Sequence, residues 1–216
     1  MKAAIWVFWG LMVAACIPLA RAQHPYLNKQ LASKQVVIHR ALVLPAMVDF
    51  TKLTLTGAEG RYANAERISA AFYAALCREL AARGVEVLPD PMGAAKTDAE
   101  KFAVVELQTR YDTVSLQLQK HPGWVKEGRV TLDDRVARFA PGAGADALVF
   151  VRDHTVQKAL GTGDSVSEVT FVDTKTGEVL AYVVFYPAVS ASKDTHIASD
   201  LHNAMHNLPL PLPPQQ

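Results

Sequence analysis

Two short runs of branched apolar residues, Val36–Leu44 and Val85–Leu88, flank a stretch in which Ile68, Ala71, Phe72, Ala75, Leu76 and Leu80 recur at three- and four-residue steps. Such steps place all six on one face of a helix, here over residues 64–83. Asn64 is the expected N-cap, and Gly84 supplies the left-handed residue that commonly ends a helix. Each apolar run closes on a proline, Pro45 or Pro89, and reads as a buried strand. A strand, a helix and a strand in this order imply a parallel pair joined by a crossover, so the chain belongs with sheets that carry helices on their faces.

The rest of the chain fills out that scheme. Thr97-Asp98-Ala99-Glu100 has the form of a capping box, and the helix it opens runs through Phe102, Val105, Tyr111, Val114 and Leu118 before Pro122-Gly123 stops it. A short helix is expected over Leu132–Phe139, ahead of the Pro141–Gly144 turn. Ala147–Val151 is apolar at every position, as a central strand covered on both faces must be. Val166–Val172 and Val179–Tyr186, joined by Asp173–Glu178 with its Gly177, read as an antiparallel hairpin. A last helix over Ser192–Asn207 turns Ile197, Leu201, Ala204 and Met205 inward. At 216 residues and 50% hydrophobic content the chain suits one core. The expectation is a mixed α/β (α+β) domain over 36–207: a three-layer arrangement with a parallel β-α-β start, a C-terminal antiparallel hairpin and flanking helices. Residues 23–35 read as a flexible lead-in, 46–63 as a loop, and 208–216 as a proline-rich extended tail.

Ahead of the domain stands a leader. Met1-Lys2 precedes an apolar run from Ala3 to Ala15 and a small-residue stretch ending Leu19-Ala20-Arg21-Ala22, the three-part layout of a secretory signal. The run is about thirteen residues, roughly two thirds of what a membrane-spanning helix needs. Two cleavage readings compete. In one, the chain is cut between Ala22 and Gln23 and travels free. In the other, Val13-Ala14-Ala15-Cys16 resembles a bacterial lipobox, Cys16 becomes the lipid-modified first residue, and its acyl chains tether the domain to a membrane. Either way the destination is the periplasm, free or anchored at the outer membrane. Cys77 is then left without an intramolecular partner and reads as a small buried hydrophobe.

The 22 Lys+Arg and 21 Asp+Glu leave a net charge of +1, which gives no electrostatic case for a nucleic-acid partner. A family likeness comes from the element order together with Val85-Glu86-Val87-Leu88-Pro89, the stretch Ala143–Val151 and the stretch Val172–Leu180. That pattern resembles the periplasmic α/β domains of the curli-secretion lipoprotein family and of the amino-terminal domain of the Tol translocation protein. The resemblance implies a non-enzymatic envelope component, often lipid-anchored, whose partners are other envelope proteins. No pair of alternating strands of the kind that builds a membrane barrel is evident, so pore formation is not implied.

Candidate chemistry is sparse. His202 and His206 share a helix face, with His196 nearby, and neutral imidazoles at this spacing can hold zinc; the Glu that would follow the first His of a metalloprotease motif is replaced by Asn203. These histidines carry the alternative of a secreted metal-dependent hydrolase. Asp153-His154 with Ser165 and Ser167 has the residue types of a hydrolase triad without the elbow motif, and Gly161-Thr162-Gly163-Asp164 reads as a turn. Arg61 and Tyr62 could line a binding edge at the carboxyl ends of the parallel strands, where a small-ligand module would bind. No cofactor is implied.

Overall fold

The computed structural model describes residues 25–54, 57–60, 62–95, 97–133, 135–139, 144–158, 163–187 and 194–211. The leader with Cys16, Ala22 and Gln23 lies outside them, as do Arg61, Pro141–Ala143, Gly161-Thr162 and the end of the tail.

One mixed sheet organises the chain. Its strands are β1 (Tyr26–Leu27), β2 (Arg40–Val43), β3 (Met47–Thr54), β4 (Gly57–Gly60), β5 (Glu86–Val87), β6 (Ala147–Gln157), β7 (Gly163–Asp173) and β8 (Val179–Phe185). They run in the order β1-β8-β7-β6-β2-β5, with β3 on β6 and β4 on β3. β2 pairs in parallel with both β5 and β6, whereas β6, β7 and β8 form an antiparallel meander. The expected parallel start and C-terminal hairpin are both present. Ala147–Val151 is buried throughout, at the centre of the sheet.

Helices cover both faces. Strand alternation sends Ala147, Val149, Val151, Val169 and Phe171 to one side, where α2 (Tyr62–Ala82) and α6 (Asp194–Met205) meet them with Ile68, Phe72, Leu76, Leu80, Ile197 and Leu201. Leu148, Phe150, Val172 and Tyr182 face the other way, onto Val104, Leu107, Tyr111, Val114 and Leu118 of α4 (Asp98–Lys120). Tyr111 stacks on Phe150 at 4.5 Å between ring centroids and shares a 2.7 Å hydrogen bond with Thr170. Three short helices complete the set: α1 (Lys29–Ala32), α3 (Pro91–Ala94) and α5 (Arg135–Phe139). The capping box at the start of α4 forms as its sequence requires. The Glu100 amide donates to Thr97 Oγ1 at 3.2 Å, and the Thr97 amide donates back to Glu100 Oε2 at 3.0 Å.

Three expectations are corrected. Residues 25–35 are no loose lead-in: β1 pairs with β8, Leu31 is buried, and the Asn28 side chain caps α1 while donating to Glu178 Oε1 at 2.8 Å. Residues 47–54 and 57–60, expected within the loop 46–63, pair as the antiparallel strands β3 and β4 and prolong the sheet. α2 begins at Tyr62, two positions before the expected cap, so Asn64 lies inside the helix.

Candidate functional site

Pro45 marks where β2 ends and β3, the inner strand of the hairpin, begins. A proline has no N–H to give a neighbouring strand, so the ladder between β2 and β6 breaks there. Pairing resumes one residue out of step: Val43 sits opposite Val149 and Met47 opposite Arg152, so the chain uses one more residue than its partner. This is a bulge, and it bends the strand as bulges do. The bend is pinned from both faces. Ser69 Oγ of α2 donates to Ala46 O at 2.7 Å, and Gln108 Nε2 of α4 donates to Pro45 O at 2.8 Å. Beyond it, Arg152 Nη1 bonds Asp112 Oδ1 of α4 at 2.6 Å, with its Nη2 3.7 Å from Asp49 Oδ2 of β3.

The result is a firmly rooted ladder with an exposed outer strand. Among the described residues β4 pairs with β3 alone, and its four residues, Gly57-Ala58-Glu59-Gly60, are all exposed. A side chain added at Gly57 or Gly60 would meet nothing within 4 Å. Tyr62 follows, 87% exposed at the first position of α2. Of the two residues expected at a binding edge, Tyr62 is thus placed beside β4, and Arg61 lies outside the described residues.

In the angle between the bend and α2 opens a cleft of about 490 Å³. Pro45, Ala46 and Val48 form one wall, Ala65, Ser69 and Tyr73 the other, with Glu66 and Asp90 at its margin. Burial, then the neighbouring Cys77 and Asp90, push the Tyr73 phenol up to about 12. Burial likewise raises the Cys77 thiol. The Tyr73 phenol therefore stays protonated at neutral pH and offers the cleft a hydrogen-bonding group. This cleft sits at the carboxyl end of β2, where sheets of this kind bind small molecules.

No family model matches the chain, and no curated protein does. Among solved structures, similarity is found to the PelC dodecamer from Paraburkholderia phytofirmans, 12% identical over 78% of this chain and 89% of that one, with a TM-score of 0.35. The LpoB C-terminal domain from Salmonella enterica is 13% identical over 74% and 94%, with a TM-score of 0.34. Lipoprotein GNA1162 from Neisseria meningitidis is 17% identical over 78% and 95%, also with a TM-score of 0.34. Likeness this distant leaves the reading of the chain to its own residues, and the resemblance to the curli-secretion and Tol families rests on the element order and the short stretches already named.

The other candidate residues are placed as follows. His202 and His206 stack at 6.4 Å between ring centroids, but His202 Nδ1 lies 3.0 Å from Glu79 Oε2, inside an ion pair between Glu79 and Arg83. Burial pushes the Glu79 carboxyl up, yet hydrogen bonds from His202 and Arg83 outweigh it and hold the group below its ordinary value. His196 is exposed, and among the described residues no three His, Cys, Asp or Glu side chains converge on a metal-sized site. Asp153 and His154 are adjacent on β6 and therefore point to opposite faces, with His154 exposed. Asp153 is buried instead among hydroxyls. Ser167 Oγ donates to it at 2.5 Å, Thr155 Oγ1 at 2.8 Å and Ser165 Oγ at 3.1 Å, an arrangement that holds a carboxylate without an imidazole to work as base. Of the four residues expected as a turn, Gly163 and Asp164 are strand instead, paired with Gln157 and Val156 at the start of β7, and Gly161-Thr162 lie outside the described residues.

Proposed function

We propose that this chain is an exported envelope protein, non-catalytic, that acts by binding another envelope protein through the outer edge of the β3–β4 hairpin and Tyr62. The observation that carries this reading is the outer side of β4, which among the described residues pairs with β3 alone: an exposed strand with glycine at both ends, rooted through β3, is a template for an extended segment of another protein. Tyr62 beside it adds a rigid aromatic contact of the kind enriched in interfaces. The leader supplies the compartment. Export ends either in release after Ala22 or in a membrane tether through an acylated Cys16.

A photoreactive amino acid placed at Ala58, Glu59 or Tyr62 in the producing cell tests this. Each position is expected to give a discrete cross-link to one envelope protein, and Lys175, exposed at the opposite end of the sheet, is expected to give none. Equal cross-linking at all four positions, or none at the hairpin, contradicts the reading.

The cleft favours a second reading, a module that binds a small ligand between Tyr73 and Val48. Ala70 of α2 also lines the cleft, and Ala70→Phe, which sets a ring there, separates the two. The hairpin cross-links persist in that variant if the edge binds on its own, and disappear if a ligand in the cleft must order it.

A further inference from the structure

α4 carries a second apolar stripe that the core does not use. Its inner face is spent on Val104, Leu107, Tyr111, Val114 and Leu118. On the outer face Phe102 is 68% exposed, Val105 48% and Leu116 51%. These three, with Asp98, Thr109, Thr113 and Lys120, follow one another at three- and four-residue steps, and all seven are exposed. A helix pays for such a stripe in solubility unless something covers it.

The order of residues along the stripe says what covers it. Taken outward from Thr109 in both directions, the steps are the same, so two copies of α4 laid antiparallel about a two-fold axis at Thr109 bring the stripe into register with itself. Phe102 of each copy then meets Leu116 of the other, Val105 meets Thr113, and Thr109 meets its own equivalent. At both ends Asp98 meets Lys120, opposite charges on opposite helix termini, where each also suits the helix dipole. The Thr109 hydroxyl already donates to Val105 O at 2.9 Å, so the axis can be desolvated without leaving it unsatisfied. Asp98 pairs with Lys101 at 3.8 Å, a long and exposed contact that is readily exchanged.

We infer that α4 is a self-association surface, through which two copies of this chain form an isologous antiparallel dimer centred on Thr109. The stripe uses none of the residues of β4 and does not include Tyr62.

Sedimentation velocity of the protein purified from cells that process it, over about 1–200 µM, tests the inference. A concentration-dependent dimer is expected. Phe102→Glu, which sets a charge against Leu116, is expected to weaken it by at least about tenfold. Asp98→Lys and Lys120→Asp each place like charges at both ends and weaken the dimer, whereas the double variant re-forms both pairs and recovers affinity. Circular dichroism checks that each variant is folded. A chain that stays monomeric across the range, a Phe102→Glu dimer of unchanged affinity, or a double variant no tighter than the single ones overturns the inference.

Discussion

Asp153→Ala is expected to destabilise the protein by about 2–3 kcal/mol at neutral pH, the cost of leaving buried hydroxyls without an acceptor. Three hydroxyls, those of Thr155, Ser165 and Ser167, converge on this carboxylate, and no cation is within salt-bridge reach of it among the described residues. Burial pushes the Asp153 carboxyl above its ordinary value, and the three donors only partly offset that. A carboxyl whose value is raised by folding binds its proton more tightly in the folded state, so it stabilises the fold fully below the ordinary Asp value, about 3.9, and loses that contribution as pH rises through the folded value. Asp153→Asn keeps one acceptor and removes the titration. The stability of wild type relative to Asp153→Asn is therefore expected to be greatest near pH 4 and to shrink towards pH 8, measured by urea unfolding across that range. Taking the difference between the two proteins cancels Glu168, which burial also raises, and Glu79, which is lowered and works in the opposite direction. A difference that is constant with pH would show that Asp153 titrates normally in the folded protein.

Gly177→Ala should be costlier still, about 3 kcal/mol. Gly177 has a φ of +72°, in the left-handed region where a side chain costs roughly 1–2 kcal/mol. A Cβ there would also lie 2.3 Å from the main-chain oxygen of Asp133, and the Asp133 backbone cannot swing aside as a side chain could. The contact is close for a reason. Gly177 O accepts from the Leu132 amide at 2.8 Å and from Thr131 Oγ1 at 3.1 Å, and Thr131 bridges Glu178, so the β7–β8 turn is clamped to the segment that leads into α5. For a chain of this size the loss corresponds to a fall in Tm of about 6–12 °C. Gly60→Ala, whose Cβ would meet nothing within 4 Å, is the matched control and should leave Tm within about a degree. Equal Tm values for the two variants would remove the clamp from the account.

The parts of this fold that were legible in the sequence share one property: their burial is repetitive. α2 and α4 show their inward faces at every turn, and the first half of β6 is apolar on both sides. Periodicity fails where an element is short or its burial is mixed. β1 and α1 are held by single anchors, the capping Asn28 and the buried Leu31, which no repeat announces. The second half of β6 runs Arg152-Asp153-His154-Thr155 and looked like a strand end, because a buried Asp is exceptional and its three hydroxyl partners come from its own strand and from β7. The hairpin was lost to Pro45, Gly57 and Gly60, which punctuate loops far more often than they bend a strand, although Val48-Asp49-Phe50-Thr51 alternates between apolar and polar as a half-buried strand does. Tyr62 could be singled out by position. The cleft beside it could not, since Pro45, Tyr73 and Asp90 meet only once the sheet has folded. The outer stripe of α4 was present in the sequence all along, but Phe102 and Val105 stand there in one helical pattern with Tyr111, Val114 and Leu118; only the observed exposure separates the two apolar faces of that helix.

The account stands on export, because an edge strand offered to envelope partners means nothing in another compartment. Intact-mass spectrometry of the natively expressed protein, with a Cys16→Ser variant beside it, tests that directly. The expected result is a chain that has lost its leader and begins at Gln23, unchanged by the variant, or at an acylated Cys16, lost in the variant. A chain that retains Met1–Ala22 in full would contradict it.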